Sequence, residues 1–399
     1  MSKSDTHGPV VIASAARTPI GGFQGDFADV PAPELGSRAI AEAVARADLE
    51  AGDIDEVLMG CVLSAGQGQA PARQAALGAG LPNSVPCTTV NKMCGSGMKT
   101  VMMAYEALHV RPGDVIVAGG LESMTNAPYL LPKARQGLRL GHGEVKDHMF
   151  LDGLEDAYHK GRLMGTYAED TAQHYQFTRK DQDDFAIESL KRAREANENG
   201  TFSAEIAPVT VTTRKGERVV ERDQQPFTAD PDKIPQLKPA FRKDGTVTPA
   251  NSSSISDGAA ALVLMREKTA ETRGITPLAR IDGCSSYAAA PEWFTTAPIS
   301  AVERLLEQLG WNTGGVDLYE INGAFAVVAM AAIRDLGLSH DVVNIYGGAC
   351  ALGHPVGASG ARIMVTLLNA LARTDAQKGV ASLCIGGGEA TAVGVTRLH

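Results

Sequence analysis

Two stretches far apart in the chain carry nearly the same pattern. "CGSGMKTVM", from Cys94, matches "GASGARIMV", from Gly357, with Ser96-Gly97 aligned to Ser359-Gly360 and Lys99 to Arg362. Downstream of each, "VIVAGGLES" from Val115 matches "LCIGGGEAT" from Leu383. Two matches in the same order, at nearly the same offset, point to an internal duplication. A chain of 399 residues is long enough for two such halves, each with a substantial core.

Hydrophobic periodicity says what each half is made of. "VVIASA", "VLMGCVLSA", "VPCTTV" and "DVIVAGG" read as strands, and "APELGSRAIAEAVARA" and "MKTVMMAYEALHV" repeat at helical spacing. The alternation resumes after about residue 275 with strands in "LARIDGCSSYA", "VDLYEIN", "VVNIYGG" and "VASLCIGGG". Between them lie helices in "PISAVERLLEQLG", "AFAVVAMAAIRDLG" and "GASGARIMVTLLNALA". Strands alternating with helices predict an α/β protein built of βαβ units with a mostly parallel sheet. From Leu121 to Gly245 charges, prolines and glycines crowd in, around one helical stretch, "RKDQDDFAIESLKRAREANENG", with Gly200 placed to end it. This middle is expected to be an inserted loop domain. The expected division is 1–120 with 246–274, then 121–245 as the insertion, then 275–399.

Charge and cysteine content exclude several classes of function. A net charge of -9 argues against general nucleic-acid binding, which rests on a basic surface. The six cysteines form no CxxC pair and match neither a zinc site nor a small disulfide scaffold, so a reduced cytoplasmic setting is expected and no metal. "MSKSDTHGPVVIASAARTPIGGFQG" has no charged leader ahead of a long apolar stretch, and "GAAALVLM" and "FAVVAMAAI" are too short to span a bilayer.

The candidate chemistry gathers at glycine-rich turns. "NKMCGSGMKT" is near a P-loop, but Met98 follows Gly97 and the glycine spacing fails, so phosphate cradling is rejected. A cysteine just ahead of a helix meets free N–H groups and the positive end of the macrodipole, which favour the thiolate. On that reading Gly95, Ser96 and Gly97 keep the helix end open to a bulky thioester. A buried packing cysteine is the alternative for this segment alone. "GGACALGHPVGASG" then places His354 among small residues before a helix, and "SLCIGGGEA" ends a strand with Cys384 and three glycines whose N–H groups suit an oxyanion. Cysteine, histidine and cysteine, each at an element end beside glycines, are hard to explain jointly as packing.

With these motifs the chain resembles the thiolase family. The resemblance runs through "ARTPIGGFQG", "GQGQAPARQAA", "NKMCGSGMK", "VAGGLESM", "GTVTPANSSSISDGAAAL", "GGACALGHPVGASGAR" and "CIGGGEATA", nearly the whole length. It implies a duplicated five-layered α-β-α-β-α fold with an inserted CoA-binding loop domain, and a homotetramer that is a dimer of dimers. The implied activity is reversible condensation of two acetyl-CoA to acetoacetyl-CoA and CoA, or thiolysis of short 3-ketoacyl-CoA, with no permanent cofactor. Cys94 resembles the acyl-accepting nucleophile, His354 its base and Cys384 the acid/base at the α-carbon. Oxyanion sites are implied at His354 with a water held by Asn322, and at the N–H groups of Cys94 and Gly386.

For the CoA thioester the resemblance implies contacts from Ser253, Met164, Leu163 and Phe294. Several positions depart from the family pattern. Gly323 follows Asn322 where glutamate is usual, Ser254 replaces a glycine, and Leu163 replaces a histidine found in many biosynthetic relatives. Phe294-Thr295 stands where many acetoacetyl-CoA thiolases have Met-Gly, and a branch that accepts 2-methyl substrates has phenylalanine there. Two other readings share the fold. A decarboxylating ketoacyl synthase lacks the second catalytic cysteine, and a non-catalytic acyl-CoA or lipid-binding relative loses one or more reactive residues.

Overall fold

Apolar residues alternate along the strands, and each face of the sheet lands in a different core. In the computed structural model, which describes residues 7–214 and 216–399, strand β1 (Val10–Arg17) sends Val11 and Ala13 to one side. Val10 and Ile12 go to the other. Strands β2 (Glu56–Gly60), β4 (Ile116–Ser123) and β5 (Ser256–Arg266) divide in the same way, with Val57, Val117 and Val263 on the first face and Leu58, Ile116 and Leu262 on the second. This period of two is the signature of a sheet covered on both sides.

Helices α1 (Ala32–Arg46) and α2 (Pro71–Gly78) cover the first face, with Leu35, Ile40 and Ala75 in that core. The second face meets α3 (Ser96–Val110) and α8 (Ser359–Arg373), whose Val101, Ile363 and Leu367 share one core with strands of both halves. Beyond the C-terminal strands, α6 (Ala297–Leu309) and α7 (Ala326–Asp335) build the outer core around Leu305, Val327 and Ile321. The result is five layers: helices, sheet, two central helices, sheet, helices.

The duplication predicted from the sequence repeats in the topology. With β3 (Cys87–Val90), the N-terminal strands run in the order β1-β5-β4-β2-β3, antiparallel at the first two contacts and parallel at the last two. In the C-terminal half, β6 (Ala279–Ala288), β9 (Glu389–Arg397), β8 (Lys378–Ile385) and β7 (Leu318–Asn322) follow the same order and directions. A short antiparallel contact, Val11 to Arg280 and Ile12 to Ala279, joins the two sets into one hydrogen-bonded path.

The sheet is therefore mixed and not mostly parallel. Only the βαβ connections are parallel, while β5 and β9 return antiparallel. Gly387 (φ +97°) and Gly388 (φ +90°) make the turn that sends β9 back along β8. "VVNIYGG" is no strand either, since it contributes one bridge, Tyr319 to Val343. There Asn344 (φ +49°) takes over the pairing with its side chain, accepting from Ile321 N–H and donating to Ile321 C=O, both at 2.8 Å.

Between the halves of the N-terminal unit lie α4 (Met164–Tyr175) and α5 (Arg179–Glu198). Helix α5 starts on a Thr178–Asp181 capping box, and Gly200 (φ +79°) takes the left-handed position just past its end. Glu169 of α4 accepts the N–H groups of Thr246 and Val247, which ties α4 to the chain leading back into β5.

Candidate active site

The two central helices meet at their N-terminal turns with almost no space between backbones. A Cβ at Gly360 would lie 2.4 Å from Met98 N, one at Gly97 2.9 Å from Ala361 N, and one at Gly120 2.1 Å from Gly357 O. Cys94 stands just ahead of α3 and His354 just ahead of α8, so this close approach brings them together. The glycines after Cys94 are thus there for packing. At Gly95 the missing side chain makes room for Ile385, whose Cδ1 would lie 2.4 Å from an added Cβ.

The turn bearing Cys94 is closed by its own neighbours. Met93 sits at φ +48°, Lys92 N–H donates to Ser96 Oγ (2.8 Å), and the Ser96 hydroxyl donates to Met93 C=O (2.6 Å). Burial pushes the Cys94 thiol up to about 11, opposed by the N–H groups of Gly386 and of Cys94 itself, which favour the thiolate. The helix-end effect expected to lower this pKa is outweighed by burial. Cys94 rests as a thiol.

His354 follows Gly353 (φ +110°) and is buried. Its Nδ1 lies 2.5 Å from Ser359 Oγ, and the Ser359 hydroxyl donates to Pro355 C=O at 2.9 Å. A hydroxyl has one proton, so Ser359 Oγ accepts from Nδ1–H and the lone pair is left on Nε2. That Nε2 has no hydrogen-bond partner among the described residues. Burial, then the charge of Arg362, pushes the imidazole down to about 3, so it rests neutral. The site holds a neutral thiol beside a neutral base.

Cys384 ends β8 and is fully buried. Burial raises its thiol well above the ordinary value, the neighbouring Cys94 sulfur adds to the rise, and the N–H groups of Cys384 and Ala324 oppose it. Asn322 ends β7, also fully buried, with its amide nitrogen 3.4 Å from His354 Nδ1. The neighbouring strands β8 and β7 of the C-terminal half therefore deliver these two residues from the sheet side.

A cavity of about 500 Å³ opens in front of this group. Cys94, His354 and Gly386 line its inner end, and Ser253, Leu163, Met164 and Phe294 line its walls. Cys384 and Asn322 stand behind that lining. Leu163 precedes the first turn of α4 and Met164 opens it. Ser253 is held by its N–H to Ala324 C=O (2.8 Å), and Phe294 packs edge-on against Tyr167 with ring centres 6.1 Å apart. Met124, Phe325 and Val356, which also line the cavity, were not singled out from sequence, and nor were the roles of Ser359 and Arg362. Ser359 carried a signal, since it is part of the duplicated "SG" motif ahead of both central helices.

Chemically, the arrangement offers a nucleophilic sulfur, a lone pair to take its proton, amide N–H groups aimed at the reacting position and a second sulfur behind. Among the described residues, no group of three or more His, Cys, Asp or Glu side chains is placed to hold a metal ion.

Comparison with known proteins agrees with this geometry. Residues 10–268 match the thiolase N-terminal domain and residues 275–397 the thiolase C-terminal domain. The chain is 48% identical to an acetyl-CoA acetyltransferase of Pseudomonas aeruginosa over 390 residues, covering 97% of this chain and 99% of the other. It is 49% identical to acetyl-CoA acetyltransferase 2 of Arabidopsis thaliana over 387 residues, 96% of each chain. Among solved structures, an acetyl-CoA acetyltransferase of Bacillus anthracis superposes with a TM-score of 0.95 at 40% identity, over 98% of this chain and 99% of that one. A thiolase of Ascaris suum in complex with coenzyme A gives 0.92 at 41% identity, over 98% and 100%. The chain belongs to the thiolase family.

Proposed function

We propose that the protein is an acetyl-CoA acetyltransferase, making acetoacetyl-CoA from two acetyl-CoA and cleaving short 3-ketoacyl-CoA in reverse. The observation that carries the reading is the unpartnered Nε2 of neutral His354 beside Cys94 in one cavity. In the first half-reaction, Nε2 takes the Cys94 proton as sulfur attacks the acetyl carbonyl, then returns it to the departing CoA sulfur. The acetyl group now sits on Cys94 as a thioester, which keeps its carbonyl reactive. In the second half, neutral Nε2 takes the Cys384 proton, and the Cys384 thiolate takes one from the α-carbon of another acetyl-CoA. The resulting carbanion attacks the acetyl group, Cys94 leaves as thiolate, and the proton on His354 passes to Cys94, which restores two thiols and a neutral imidazole.

Burial that raises the Cys384 thiol makes its thiolate a stronger base, which a weakly acidic carbon requires. The N–H groups of Cys94 and Gly386 act on the reacting sulfur and are assigned to the oxyanion formed beside it. His354, with a water held by Asn322, is assigned to the other oxyanion. CoA and its acetyl and acetoacetyl thioesters are the ligands, with Ser253, Leu163, Met164 and Phe294 along the pantetheine and acyl path. The halves 1–120 with 246–274 and 275–399, and the loop domain 121–245, are the units assigned to these tasks.

We assign the chain to the cytoplasm, in keeping with its scattered free cysteines; among the described residues no helix is long and apolar enough to cross a membrane. A dimer of dimers is supported by two unpartnered surfaces. Strand β3 is paired on one side only, and a protruding arm exposes Tyr129, Leu131, Leu138, Val145 and, at 98%, Leu140. The test of function is CoA-dependent cleavage of 3-ketoacyl-CoA across chain lengths, expected to be fastest at acetoacetyl-CoA. No cleavage, with acetyl-CoA still protecting Cys94 from alkylation, would identify a binding protein instead.

A further inference from the structure

Behind the cavity, a line of buried charge runs up to the site and ends on Asn322. Arg17 donates to Glu205 at 2.5 Å and to Asp223 at 2.7 and 3.0 Å. Glu205 also accepts from Thr366 (3.2 Å) and Asn369 (3.0 Å) of α8. One turn before Thr366, Arg362 lies 3.5 Å from Glu320 and donates through Nη2 to Asn322 Oδ1 at 3.4 Å. Arg17, Glu205, Asp223, Glu320 and Arg362 are all buried. Burying a guanidinium is costly unless its donors are used, and Arg362 leaves Nε and Nη1 without a hydrogen-bond partner. Stability alone gives a weak account of it.

We propose that Arg362 is a positioning residue that fixes which way the Asn322 carboxamide faces. The inference rests on the reading in which Asn322 serves the His354 side of the site. A carboxamide has a donor end and an acceptor end of nearly the same shape, and a guanidinium has donors only. With its proton given to Ser359, His354 Nδ1, 3.4 Å from the amide, does not itself decide whether Oδ1 or Nδ2 faces it. Arg362 holds Oδ1 from the other side, which leaves the Asn322 N–H groups facing His354. With Nδ1 already bonded to Ser359, those N–H groups have no acceptor there and remain for an oxygen arriving beside His354. Without Arg362 the amide is free to reverse and present a carbonyl where a donor is needed.

The internal duplication supplies a comparison. Lys99, the counterpart of Arg362 on α3, is partly exposed, and its nearest carboxylate is Glu106 at 3.6 Å. At this shared position on the two central helices, the buried arginine stands in the half that carries Asn322. Only a fork reaches Glu320 and Asn322 together.

The test is a double-mutant cycle read in acetoacetyl-CoA thiolysis. Asn322→Ala is expected to lower kcat on the order of 10²-fold, as loss of an oxyanion donor does. Arg362→Gln is expected to lower it at least about tenfold through misplacement of that donor, with KM for CoA within about twofold. In the Asn322→Ala background, Arg362→Gln should change kcat by less than about twofold, since its effect passes through the missing amide. An equal loss in both backgrounds overturns the proposal, because a purely structural role is additive. If Arg362→Gln fails to fold, Glu320→Gln, which loosens the guanidinium without removing it, must show the same coupling, and additivity there overturns the proposal too. Full activity in Asn322→Ala also overturns it but leaves the thiolase chemistry standing. A wild-type protein that never acetylates Cys94 refutes the function itself.

Discussion

Cys94 and His354 both rest uncharged, with burial holding the thiol near 11 and the imidazole near 3. As pH rises the thiolate appears only on approach to about 11, and the imidazole is already neutral at any pH above about 3. At pH 7 the thiolate fraction is then on the order of 10⁻⁴. The ultraviolet thiolate absorbance lost on Cys94→Ala should be absent from pH 6 to 9 and grow in above it. A thiolate band at neutral pH would mean a preformed ion pair. Cys384 has a separate task, so Cys384→Ala should still acetylate at Cys94 yet lose condensation and thiolysis by about 10²–10⁴-fold. Near-normal turnover would reduce Cys384 to packing. Phe294 lines the cavity from its edge-on contact with Tyr167, where a pocket with or without room for one methyl group discriminates by about 10–200-fold. Thiolysis of 2-methylacetoacetyl-CoA is expected within about tenfold of the acetoacetyl-CoA kcat/KM. An inert 2-methyl substrate would show that Phe294 does not widen the pocket.

At the scale of elements, the site depends on two helix starts pressed together. Gly360→Ala puts a Cβ 2.4 Å from Met98 N, against backbone that cannot swing away, so it should destabilise by about 1–3 kcal/mol or more. Gly113→Ala, with nothing within 4 Å of the added carbon, is the control and should leave the melting temperature nearly unchanged. Equal melting temperatures would show that the close approach is not needed. The helices and most strands were legible because period and punctuation are local properties. Cys94, His354 and Cys384 stood out because reactive residue types beside glycines are rare in packing roles. Strand direction was not legible, since β5 reads as a continuous apolar run whether its neighbours are parallel or antiparallel. Nor was Asn344, whose side chain replaces a strand pair only once β7 is beside it. Ser359 and Arg362 take their meaning from His354 and Asn322, and that pairing exists only after folding.

For the whole molecule, duplication explains why two sulfurs and one imidazole meet. Each half ends a strand and starts a helix at the same place, and the shared central core brings the two places together. The protruding arm and the unpaired edge of β3 belong to this scale, because a monomer leaves both in water. Sedimentation should give four copies of the 41.8 kDa chain. Leu140→Asp, at a position 98% exposed in the monomer, should shift the population toward dimers with each site intact. A stable monomer with full activity would remove the arm from any role in assembly.

The central claim is that Cys94 carries the acyl group between two CoA molecules. Incubation with acetyl-CoA, rapid quench and mass analysis of the peptides tests it most directly. The account predicts one acetyl group on the Cys94 peptide, lost when CoA is added and absent in Cys94→Ala together with activity. Acetylation at another residue that persists in Cys94→Ala, with turnover retained, would contradict it.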